Sequence, residues 1–426
     1  MHLSFRTSIF ENEHTGPMKR IFWQAAVFLS FMRLDAQTGH ETKVSPWQED
    51  VKYFQSQLIK KHKNPFHHVT RNEFEMDIEK LYQDAAVLKD YEVIVRLMQI
   101  TAKVGDGHTA VHIPSTFKVY PVVFRWFGDE LRVVATRPEY TKLAGTKLLR
   151  IGESGIAEIN KKLATILSQD ENQWYTMNTG PAFLIYAEII AALGLSADSS
   201  KARFTFLDDS GKEITEELPA APRDPAKPWT GVSKTQPLFR QRQTESFWFS
   251  YVEEINAVYV NFRKYDDLAR HSGELFDFIE EKKATRLIVD LRQNGGGDFK
   301  KGRRQLISKI KEHNIINQKG NLFVITGRAT FSAAMVNSID FKKETNAIII
   351  GEPPGEKPNS YSENDEMKLP NSGLVISYST RYYKFLDEDV PAFEPDVRVD
   401  QEWKAFKEGR DPVMEWILTY CQRKQD

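Results

Sequence analysis

From about residue 246 onward, short apolar runs alternate with helical patterns. "NAVYVNFRKY" reads as a strand and "SGELFDFIEEKK" as a helix. "TRLIVDLR" is followed by "DFKKGRRQLISKIKEH", and "NLFVIT" by "SAAMVNSIDF". "NAIIIGEP" and "LVISYSTRYY" are further strands. Near-continuous apolar strands between helices indicate an α/β domain whose sheet is buried on both faces. Sites in such sheets gather at the carboxyl ends of the strands.

The earlier chain follows different periods. Residues from about Pro46 to Val104 read as helical, with a break at Asn64-Pro65. Thr70 to Glu73 fits a capping box, with Phe74, Ile78 and Leu81 at helical spacing behind it. Residues 117–218 read mainly as β, with hairpins expected at Gly128-Asp129 and at Asp209-Ser210-Gly211. The stretch "NQWYTMNTGPAFLIYAEIIAALGL" interrupts them as a helix, and Pro219 to Pro228 reads as a linker. These patterns divide the chain into a leader (1–36), a helical region (46–115), a β-rich middle domain (116–220), a linker (221–245) and an α/β core (246–426).

Composition narrows the function. The 426 residues carry a formal net charge of −1, which argues against a dedicated nucleic-acid binder, since such proteins usually show a basic domain or stripe. The short run Lys60–Lys63, with His62 inside it, reads as a solvated helix face. Adjacent His67 and His68 cannot share a helix face as metal ligands, and a single cysteine, Cys421, excludes an internal disulfide or a cysteine-rich zinc site. From Met18, the charged pair Lys19-Arg20, the apolar run Ile21–Met32 and a small residue at Ala36 have the shape of a secretory signal peptide. Export to the periplasm or the extracellular space is therefore expected, with no integral membrane segment once the signal is removed. No other apolar run approaches the roughly 20 residues of a membrane helix.

Three strand-end loops carry the candidate chemistry: "DLRQNGGGD", "GRATFSAAM" and "GEPPGEKPNS". Glycines Gly295–Gly297 at a helix start suit backbone N–H donors aimed at an anion. Walker-type and Gly-x-Gly-x-x-Gly spacings are absent, so a nucleotide site has little support. Taken alone, Ser332 is an ordinary helix cap. As a nucleophile it needs a base. The two candidates are Lys357, if burial makes it neutral, and His108 in "GDGHT". Glu356, next to Lys357, would hold that lysine charged and weaken it as a base.

Taken together, "VGDGHT" (Val104–Thr109), "LIVDLRQNGGGD" (Leu287–Asp298), "TFSAAM" (Thr330–Met335), "IIIGEP" with Lys357 after it, and "EPDV" (Glu394–Val397) resemble the C-terminal processing, or tail-specific, serine proteases. That family is related to the core of the tricorn protease. The resemblance implies a ClpP/crotonase-like β-β-α core behind a helical region. It also implies a PDZ-like middle module, to which "LAGTKLLRIGESGIAEI" is similar in part. By it, Ser332 is the nucleophile, and Ala333 with Gly295 or Gly296 forms the oxyanion hole. Lys357 is the base in the dyad branch. In the tricorn-like branch His108 is the base, with Asp389 as the acid. The substrate would be a peptide or unfolded protein, with no metal or cofactor. Two other readings compete: a catalytically inactive peptide- or ligand-binding protein on this fold, and an acyl-CoA enzyme of the crotonase type. The sequence does not indicate an oligomeric state.

Overall fold

The computed structural model describes residues 44–233 and 235–423; the expected leader lies outside the described residues. Three helices open this part of the chain: Pro46–Lys61, Arg71–Asp84 and Asp90–Ala102. Ser45 with Gln48, and Thr70 with Glu73, close capping boxes at the first two. Each helix turns an apolar stripe inward, with Val51, Phe54 and Leu58, then Phe74, Ile78 and Leu81, then Val93 and Leu97 buried. His62, expected on a solvated face, is also buried. It caps the first helix at its C-terminal end, and its imidazole turns into the protein to meet Asp106.

Strand β1 is Ala110–Val111. Strands β2 (Val122–Phe127), β3 (Glu130–Thr136), β4 (Lys147–Ile151), β5 (Ser154–Gly155), β6 (Lys201–Leu207), β7 (Glu213–Pro219) and β8 (Thr230–Gly231) build an antiparallel sheet. Its order is β2-β3-β4-β6-β7, with β5 on β4 and β8 on β3. Both expected hairpins are there, and Gly128 supplies the positive φ (56°) of the first turn. The expected single helix is two, Gln173–Phe183 and Ala187–Ala192, following Ile156–Ala164. Part of the Pro-rich stretch is strand: Pro219 ends β7 and Ala221 bridges Val119. One apolar core joins the opening helices, this sheet and the buried residues Met367, Ile376 and Tyr378 of the later hairpin.

Strands β9 (Phe247–Val252), β10 (Ala257–Phe262), β11 (Arg286–Asp290), β12 (Leu322–Thr326) and β13 (Ile348–Gly351) follow, then the long β14 (Asn359–Lys368) and β15 (Val375–Lys384), and β16 (Val397–Arg398). The six-stranded order is β16-β13-β12-β11-β10-β9, parallel except for β9. Alternate side chains face two apolar layers, as strand geometry requires. Val289 and Val324 pack in one layer with Leu275 and Ile339 of the crossover helices. Ile288 and Phe323 pack in the other with Ile417 and the cysteine Cys421 of the C-terminal helix Pro412–Gln422. The buried sheet expected from the apolar runs is thus covered on both faces. Strands β14 and β15 form a separate sheet with β1, in the order β1-β15-β14.

Candidate active site

The loops after β11, β12 and β13 meet at the carboxyl ends of the parallel strands, and β1 brings the preceding loop, with His108, beside them through its pairing with β15. A cavity of about 740 Å³ opens there, lined by His108, Gly295, Gly297, Ser332, Ala333 and Glu356, and by residues of β14 and β15.

Ser332 stands immediately before the helix Ala333–Glu344, at φ 54° and ψ −127°. A non-glycine residue in that region is strained, and such strain collects at functional turns. The side chain makes no capping hydrogen bond to its own helix. Its Oγ lies 3.0 Å from His108 Nε2 instead. Ser362 Oγ, on β14, lies 3.3 Å from the same nitrogen. The Phe331 ring packs 4.8 Å from the imidazole, centroid to centroid.

Glu356 sits behind the histidine. Its Oε1 is 3.7 Å from His108 Nδ1, a buried nitrogen with no other partner, and it accepts a hydrogen bond from Ser360 Oγ at 3.3 Å. Its Oε2 accepts from the Ser332 N–H. Burial pushes the Glu356 carboxyl above the ordinary glutamate range, while the nearby His108 charge pulls the other way.

Two further carboxylates set the histidine loop. Asp106 is buried. It meets His62 Nε2 at 2.9 Å and accepts from Thr109 N–H at 2.8 Å and Ser379 Oγ at 2.6 Å. Burial alone would raise its pKa; the His62 contact and these hydrogen bonds hold it below the usual aspartate value. Glu171, from the loop before Gln173–Phe183, accepts from Gly107 N–H at 3.0 Å and from Lys357 N–H at 2.9 Å. One side chain therefore holds both the His108 loop and the Glu356 loop. Burial and then the like charge of Glu356 push Glu171 well above the glutamate range. Asn172 adds a third tie, donating through Nδ2 to Pro354 O at 3.0 Å.

The glycine stretch closes on the serine. A Cβ on Gly296, whose φ is 114°, would lie 2.6 Å from Ser332 Cβ, so only glycine lets the two backbones pass. The Gly296 N–H donates to Asn294 Oδ1 at 2.9 Å. Gly295 and Gly297 line the cavity, as does Ala333 at the first position of the helix. An N–H in that position has no carbonyl within the helix to accept it.

Two expected site residues lie elsewhere. The Lys357 ammonium is ion-paired to Asp170 at 2.9 Å, and Asp389 Oδ1 accepts from Asn359 Nδ2 at 2.9 Å. No hydrogen bond joins either one to Ser332 or His108, and neither lines the cavity. The residues that surround Ser332 are His108 and Glu356, one position before the expected lysine. Among the described residues no cluster of His, Cys, Asp or Glu has a metal-binding arrangement, and no helix is long and apolar enough to cross a membrane.

Fold and site define an α/β protein that presents a serine on a strained strand-to-helix turn to a histidine and a buried carboxylate. No protein-family profile and no curated protein matches the sequence. Among solved structures, the chain is similar to mature CPAF complexed with lactacystin, at 10% identity and a TM-score of 0.60, over 89% of this chain and 98% of that one. Mature CPAF gives the same identity and coverage at a TM-score of 0.59. The photosystem II D1 C-terminal processing protease aligns over 88% of this chain and 97% of that one, at 13% identity and a TM-score of 0.42. The chain shares the CPAF fold.

Proposed function

We propose that the protein is a serine peptidase that cleaves peptides or unfolded proteins through an acyl-enzyme. The observation that carries this reading is the 3.0 Å approach of His108 Nε2 to Ser332 Oγ, at a residue with positive φ. His108 takes the Ser332 hydroxyl proton as Oγ attacks the substrate carbonyl carbon. Glu356 faces His108 Nδ1, fixes the tautomer and stabilises the imidazolium. The oxyanion is received by the Ala333 N–H together with the N–H of Gly295 or Gly297, both of which line the cavity; the Gly296 N–H, expected to contribute, is taken by Asn294 Oδ1. His108 then returns the proton to the leaving amine, and water, deprotonated by the same histidine, releases the acid.

An edge strand supports the choice of a peptide. β14 lies at one side of its three-stranded sheet, and Ser360, Ser362 and Asn364 of that strand line the cavity. An extended peptide can add to such an edge by main-chain pairing. In this reading the leader from Met18 to Ala36 exports the chain.

The test is cleavage of an unfolded protein and of free peptides by the wild type beside Ser332→Ala. Loss of cleavage in the variant is expected. Equal cleavage by both proteins would remove Ser332 from the mechanism.

A further inference from the structure

The loop that ends at Ser332 begins in a second cavity, of about 330 Å³. Four arginines line it: Arg125, Arg263, Arg292 and Arg328. Three of them are saturated by protein groups. Arg292 reaches Asp290 at 2.6 Å and Asp411 at 2.7 Å. Arg328 forks onto Glu352, its Nε at 3.0 Å from Oε2. Arg263 donates to the carbonyl oxygens of Phe239 (2.9 Å) and Gln241 (2.8 Å) and to Gln293 Oε1 (3.0 Å).

Arg125 differs from all three. Its Nε is buried without a hydrogen-bond partner, and among the described residues no carboxylate pairs with its guanidinium. Neighbouring Arg240 stacks 3.5 Å over the Phe406 ring and likewise has no carboxylate partner. Arg292 and Arg328 hold all three of the carboxylates Asp290, Glu352 and Asp411, and Arg125, Arg240 and Arg263 pair with none, so five guanidinium groups stand against three carboxylates, an excess of two positive charges. Asp400 also lines the cavity but is paired with Arg398 at 3.1 Å. Burial, with repulsion from Arg328 and Arg292 against the attraction of Glu352, pulls Arg125 down to about 10. Burial, with repulsion from Arg125, pulls Arg240 down to about 9. Both groups lack the counter-charge that a partly buried cation needs.

We propose that this cavity is a binding site for a small oxyanion, a phosphate or carboxylate group held by Arg125, with the neighbouring Arg240 adding to the positive field. Guanidinium forks match such groups bidentately, and a cavity walled by cations concentrates anions. The site lies at the root of the catalytic loops. Arg328 precedes Ser332 by four residues, Glu352 precedes Glu356 by four, and the Arg328–Glu352 pair ties the two loops together. An anion beside that pair supports both loops. The inference does not depend on the peptidase reading.

The experiment titrates the full chain with inorganic phosphate, with succinate and with glycerol phosphate, each at constant ionic strength held with sodium chloride. Melting temperature and phosphorus line width are read. The expected result is a saturable rise in melting temperature with at least one of the three, weakened about tenfold or more by Arg125→Gln and retained by Ser332→Ala. Saturation by phosphate and its ester alone assigns a phosphoryl group; saturation by succinate alone assigns a carboxylate. Arg125→Lys, which keeps the charge and loses the fork, is the second variant and is expected to bind more weakly than the wild type. Absence of saturation with all three probes, or a response of Arg125→Gln and Arg125→Lys equal to that of the wild type, would overturn the proposal.

Discussion

His108 and Ser332 stand 224 positions apart in the chain, and their side chains meet at 3.0 Å. Four of the contacts that bring them together hold the histidine loop: His62 and Ser379 on Asp106, Glu171 on Gly107, and Ser377 on the His108 carbonyl oxygen. The histidine thus comes from the loop that follows the opening helices, the serine from the α/β core, and a carboxylate of the middle region fastens the first to the Glu356 loop.

His108 rather than Lys357 is expected to carry the proton. His108→Ala should lower kcat by about 10³-fold or more, in line with removal of a general base from a serine triad. Lys357→Ala should change kcat by less than about tenfold, since its ammonium serves an ion pair with Asp170 that is partly exposed. Steady-state kinetics on one peptide compares them. A larger loss in the lysine variant would reverse the assignment.

Ser332 should be stabilised by losing its side chain. At φ 54°, Ser332→Gly relieves backbone strain and is expected to raise stability by roughly 1 kcal/mol while removing activity. Gly296→Ala acts in the opposite sense: its new Cβ would lie 2.6 Å from Ser332 Cβ, at φ 114°. It should lower both stability and activity. Denaturant unfolding of the two variants measures the pair of signs.

Glu171 is expected to act as a positioning residue with a pH signature. Its folded-state pKa is raised above the ordinary 4.5, so between 4.5 and the folded value the native state holds a proton that the unfolded state releases. Stability from this group is therefore present below pH 4.5 and falls as pH rises through that window. Glu171→Gln removes the fall, and the stability difference, wild type minus variant, should decrease with rising pH. The same variant should lower kcat with little change in KM, because Glu171 holds the His108 loop and the Glu356 loop together through Gly107 and Lys357. A pH-independent difference would contradict the linkage.

Arg292 joins the end of β11 to the C-terminal helix through Asp290 and Asp411. Burial alone would lower its pKa; the two carboxylates raise it well above the usual arginine value. Arg292→Ala leaves both aspartates uncompensated and is expected to destabilise the protein by about 3–5 kcal/mol. A loss below about 1 kcal/mol in chemical denaturation would show that the aspartates find other partners.

Much of this architecture follows from local pattern. The apolar runs that became β10 to β13, the Thr70–Glu73 box and the two hairpins depend on neighbours a few residues apart. So does the turn that presents Ser332, flagged by its place between strand and helix. The carboxylate behind His108 was harder to read. Glu356 and Lys357 are adjacent, and consecutive side chains of an extended loop point in opposite directions. Glu356 turns inward to 1% exposure and Lys357 turns out to Asp170, and no local signal says which. Asp389, expected as the acid, is drawn instead to Asn359, which also bonds the carbonyl oxygens of Leu386 and Glu388. His62, Asp106 and Glu171 act across 44 to 64 positions, and only the folded chain brings them together.

The central claim, that His108 activates Ser332, is tested most directly by intact-protein mass spectrometry after reaction with a fluorophosphonate. The wild type should gain one adduct, mapped to Ser332, and Lys357→Ala should label at a similar rate. His108→Ala should label at least about 10²-fold more slowly. An unlabelled wild type, or a His108→Ala variant that labels as fast as the wild type, would contradict the account.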